Sequence, residues 1–150
     1  MLSKRQNAVY RPLVKAAWIA FCQATGRDTL SKAAYNDWYR KELVDSAHVY
    51  TSKQVSDPDT FDALCLHFAR LSNNTAEIEY WSTAKERRAL WRLGQTMKKA
   101  GVGWAYVQAI SEHQGNGDKR VDELPADRIL KINSALDMHV QRQARSCVTA

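Results

Sequence analysis

Apolar residues recur at three- and four-residue intervals along nearly the whole chain, and no stretch sustains the two-residue alternation of a half-buried strand. The pattern predicts an all-α protein, a compact bundle of about six helices. Tyr10, Leu13, Val14, Ala17, Trp18 and Phe21 mark the stripe of a first helix that starts close to Tyr10, because Pro12 suits only a first turn, and that ends at Gly26. A second begins at Thr29 or Ser31 and carries Leu30, Ala34, Tyr35, Trp38 and Leu43. Residues 44–56 have no helical stripe and read as a connection containing a short turn. Asp57-Pro58 is an N-cap followed by proline at the first helical position, and Phe61, Leu64, Cys65, Phe68 and Leu71 form the buried face up to Asn73-Asn74.

A short piece with Ile78 and Trp81 follows. Thr83 and Glu86 then have the spacing of a capping box and start a helix that Gly101 ends. Trp104, Val107 and Ile110 are the predicted inner face of the next helix, closed by Gly115 and Gly117. A last helix from Pro125 turns Ile129, Ile132, Leu136 and Val140 inward, and fraying is expected after Arg145. The segment from Lys53, KQVSDPDTFDALCLHF, faintly echoes that from Lys119, KRVDELPADRILKINSAL. The chain therefore reads as a single all-helical domain, 1–150, that admits two similar three-helix halves, 1–74 and 75–145.

Charge changes this picture at one place. The chain carries a net +6, which favours an anionic partner such as DNA without requiring one. Between Thr83 and Gly101 the bases are Lys85, Arg87, Arg88, Arg92, Lys98 and Lys99, against Glu86 alone. At 3.6 residues per turn, Leu90, Leu93 and Met97 share one face, Lys85, Arg88, Arg92 and Lys99 the opposite one, and Trp91 and Lys98 the border. Like charges at this spacing cost a helix a few tenths of a kcal/mol per pair, so local stability does not account for them. A phosphate-tracking ridge would, with Arg87 and Lys98 flanking and Trp91 free to stack or wedge. The plainer account is a solvated face, partly paired with the acidic segment 57–79 just before it.

Nothing points to catalysis. Glu77 and Glu79, two apart, face different ways on a helix, no hydroxyl or thiol has an activating motif, and Gly115-Asn116-Gly117-Asp118 is a polar turn rather than a phosphate loop. His48, His67, His113 and His139 each lack a second ligand at metal spacing, so neither metal nor cofactor is expected. Three widely spaced cysteines, no signal-like segment and no membrane-length apolar run predict a soluble, cytoplasmic protein with no membrane association.

Leu93-Gly94-x-x-Met97 leading to Ala100-Gly101, Trp104-Ala105-Tyr106 with Ala109-Ile110, Val121, Leu124, and a final helix with Ile132 and Ala135-Leu136 resemble the phage Mu-type GemA family of regulatory proteins. The amino half contributes Tyr39-Arg40, Leu43, and Ser52-Lys53-Gln54-Val55-Ser56 before a helix with Leu64 and Phe68. It departs from the family in Trp18, Trp38 and Trp81 and in lacking a glycine after Leu43. The resemblance implies a phage or prophage protein that adjusts host gene expression through DNA topology or the transcription or replication machinery, and it implies no active site. Two functions follow as expectations: contact with DNA or a DNA-bound host complex through the basic helix, or a helical adaptor or inhibitor of a host protein without direct DNA binding.

Overall fold

A computed structural model describes residues 1–148 and contains seven α-helices and no strand among them. They are α1 (Lys4–Thr25), α2 (Lys32–Ala47), α3 (Pro58–Leu71), α4 (Thr75–Ser82), α5 (Ala84–Ala100), α6 (Trp104–His113) and α7 (Ala126–Val148), with single 3-10 turns at Ser52–Gln54 and Val121–Glu123. The all-helical class holds, with seven helices rather than six. Among the described residues no helix is long and apolar enough to cross a membrane. The chain divides into two compact units, Met1–Thr83 and the stretch from Ala84 onward.

The first unit is held together by aromatic rings. Trp18 of α1 meets Trp38 of α2 (5.2 Å between centroids), Trp38 meets Phe68 of α3 (5.9 Å), Phe68 meets Tyr10 (5.7 Å) and Phe61 meets Trp81 of α4 (5.7 Å). Each ring buries far more surface than an aliphatic residue. Two buried hydroxyl and indole groups are satisfied locally: Tyr10 and Tyr39 share a hydrogen bond (3.0 Å), and Trp18 Nε1 donates to the Thr29 carbonyl (3.1 Å). Burial, with Asp62 and Glu77 adding to it, pushes the Cys65 thiol up to about 12, so it is protonated and inert at neutral pH.

Helix α1 begins six residues earlier than the proline argument predicts. Ser3 Oγ accepts from Gln6 N (3.1 Å) while Gln6 Oε1 accepts from Ser3 N (2.8 Å), a complete capping box that starts the helix ahead of Pro12. Pro12 itself is exposed, so water can reach the backbone group that its missing N–H leaves over. Helix α2 likewise runs beyond Leu43 to Ala47 and ends on His48 in the left-handed region (φ 54°). Leu30, expected on its inner stripe, precedes the Ser31 N-cap and is 88% exposed.

The second unit is built differently. Ala89, Leu93 and Met97 of α5 pack with Val107 of α6, with Val121 and Leu124, and with Ile129, Ile132 and Leu136 of α7, an entirely aliphatic core. The two segments that echo each other in sequence share a local form: a 3-10 turn, a buried valine (Val55, Val121), and a helix entered through proline. The final helix stays helical to Val148, past the expected fraying point.

Candidate nucleic-acid interface

All seven residues of the predicted ridge lie on α5, but the helix is turned from the orientation that its apolar letters imply. Its core-facing side is Ala89, Leu93, Thr96 and Met97, while Leu90 is only partly buried. At 100° per residue this rotates the buried face by roughly 50° away from Leu90. Thr96 occupies a buried position because its hydroxyl donates to the Arg92 carbonyl (3.2 Å), which satisfies the polar group inside the helix. Trp91 and Lys98, expected at the border, consequently point away from the core.

The seven side chains separate into two sets. Lys85, Arg87 and Arg88, in the first turns, each engage another group and are not free cations. Trp91, Arg92, Lys98 and Lys99 are exposed, Trp91 to 67%. Lys98 and Lys99 lie in the last turn, where the helix dipole stabilises a cation by about 0.3–1 kcal/mol. No such account covers Arg92 or the exposed indole beside it. Between Trp91 and Lys98, one turn from each, Gly94 leaves bare backbone, with nothing within 4 Å of where a Cβ would stand.

Exposure of aromatic side chains extends across the whole second unit. Its three aromatic residues, Trp91, Trp104 and Tyr106, are 67%, 54% and 42% exposed. Trp104, expected in the core, is the first residue of α6 and lies beyond the part of that helix that packs; Val107 and Ser111 are the buried positions. It borders a cavity of about 480 Å³ with Gln108 and Arg120, and Arg120 is held 2.7 Å from Asp122. The unit also holds twelve Lys and Arg against seven Asp and Glu, a net +5 of the chain's +6.

No protein family, curated protein or solved structure matches this chain. The surface must therefore be read from its own chemistry. Among the described residues no group of three potential ligands is placed to hold a metal ion. One polar pair escaped sequence reasoning: His67 Nε2 lies 2.7 Å from Glu42 Oε2, bringing together residues 25 apart in the chain. No local spacing signals it.

Proposed function

We propose that this is a helical regulatory protein of phage or prophage type, acting in the cytoplasm without catalysis, that contacts DNA or a DNA-bound host complex through the outward face of α5. One observation carries the reading: the second unit combines a wholly aliphatic core with three exposed aromatic side chains and a net charge of +5. Bases and phosphates match exposed rings and cations together. The resemblance of residues 93–136 to GemA proteins supports the regulatory part.

In this reading Arg92, Lys98 and Lys99 neutralise phosphates and release counterions, Trp91 stacks on or wedges beside a base, and the bare backbone at Gly94 permits close approach. Lys85, Arg87 and Arg88 add to the field around the helix without touching the strand. Changing Arg92, Lys98 and Lys99 together to Gln is expected to weaken binding to duplex DNA. The slope of log affinity against log salt should fall by about 0.9 for each phosphate that is no longer neutralised. An unchanged slope would remove α5 from the interface. Nuclease treatment of a host-lysate pull-down separates the adaptor alternative, because a transcription, replication or topology protein bound directly stays on the chain after digestion.

A further inference from the structure

The first unit carries a groove that no part of the α5 reading uses. It runs along α1 opposite α2, has a volume of about 390 Å³, and is walled by the rings of Tyr10, Trp18, Tyr35 and Tyr39. Tyr35 and Tyr39 lie parallel, 5.7 Å apart with 5° between planes, and both are only partly buried, so ring surface remains open to a ligand. Arg11 and Lys15, one turn apart on α1, stand at its edge. Both are exposed, neither pairs with a carboxylate among the described residues, and the nine lining residues include no Asp or Glu.

Two adjacent unpaired cations beside the partly exposed rings of Tyr35 and Tyr39 fit a ligand that is both flat and anionic. Asn7, also in the lining, gives its amide N–H groups to the Leu2 and Ser3 carbonyls (both 3.1 Å) and keeps a carbonyl oxygen to accept from a ring N–H. That favours a nucleobase over a plain phenyl ring. The volume lies at the lower end of the roughly 300–1,000 Å³ typical of small-molecule sites, which suits one nucleoside phosphate rather than a length of strand.

We propose that this groove binds a free nucleoside monophosphate, its base against Tyr35 and Tyr39 and its phosphate held by Arg11 and Lys15. The site is independent of α5. Calorimetric titration of the full chain with the four common ribonucleoside 5′-monophosphates, the corresponding nucleosides and inorganic phosphate tests it. At least one monophosphate should saturate at one per chain and bind roughly tenfold or more tighter than its nucleoside and than phosphate alone. The R11Q/K15Q variant, changed only at exposed positions, should keep its helical circular dichroism and lose that tenfold preference, whereas R92Q/K98Q/K99Q should retain it. Failure of all four monophosphates to bind, equal affinity for nucleotide and nucleoside, or an R11Q/K15Q variant with undiminished preference would each overturn the proposal.

Discussion

Trp91 and Leu93 stand two positions apart on α5, and replacing each with alanine separates a binding surface from a core. Leu93 is fully buried with Ile129, Ile132 and Leu136, so its truncation leaves a cavity and is expected to cost about 2–5 kcal/mol. Trp91 is 67% exposed. The remaining third of an indole side chain of about 250 Å² is about 80 Å², worth at most about 2 kcal/mol at about 25 cal/mol per Å². Alanine's better helix propensity returns about half a kcal/mol, leaving a net cost of at most about 1.5 kcal/mol. Urea unfolding followed by far-ultraviolet circular dichroism measures both without relying on the tryptophan being removed. Binding should rank the other way. Loss of one stacked base costs about 1–3 kcal/mol of single-strand affinity for Trp91→Ala, while folded Leu93→Ala binds a labelled oligonucleotide as the parent does. If Trp91→Ala destabilises the protein as much as Leu93→Ala, Trp91 is a packing residue, and if it leaves oligonucleotide affinity untouched, Trp91 makes no contact with the strand; either result defeats the surface argument.

Gly94→Ala should raise stability by about 0.5–1 kcal/mol in the same urea assay, since the helix gains propensity and the new methyl meets nothing; a destabilised variant would mean that Gly94 faces an obstacle. Asp57 caps α3 by accepting from Thr60 N (2.7 Å), and this backbone hydrogen bond, with a further one from the Thr60 side chain, holds its carboxyl below the ordinary 3.8. A lowered folded value means that the charged cap stabilises fully above the unfolded value and loses its contribution as pH falls through the folded one. Asp57→Asn should therefore melt below the parent near neutral pH, with the gap closing in acid; a constant gap across that range would refute the linkage.

The helical class, the α3 entry at Asp57-Pro58 and most of the inner faces of α3 and α7 are legible because each rests on short-range spacing or a strong local signal; Leu71, expected on the buried face of α3, is the last residue of that helix and is 40% exposed. What escaped depends on other physics. The α1 start needed recognition that Ser3 and Gln6 cap a helix strongly enough to carry it through Pro12, and the α2 end falls on a left-handed histidine where a glycine would be the usual sign. Thr96 looks polar by letter yet is buried, so the apolar letters alone misplace the face of α5. Trp104 fails for a geometric reason: periodicity gives the angle of a side chain around its helix, not how far along the axis the neighbouring helix reaches. For the candidate interface, the cations could be named from sequence, but which of them already have partners could not, because such pairs are made in space. The groove beside Arg11 and Lys15 is likewise assembled by α1 and α2 together and leaves no contiguous motif.

The contrast between an aromatic first core and an aliphatic second one gives the molecule its own optical labels. Trp18, Trp38 and Trp81 are buried among other rings in the first unit, whereas Trp91 and Trp104 of the second face solvent. Near-ultraviolet dichroism, which needs a fixed asymmetric surrounding, therefore reports on the first unit. Emission that is red-shifted and open to aqueous quenchers comes from the second. Each unit can thus be followed by its own native signal through melting or titration, with no dye attached.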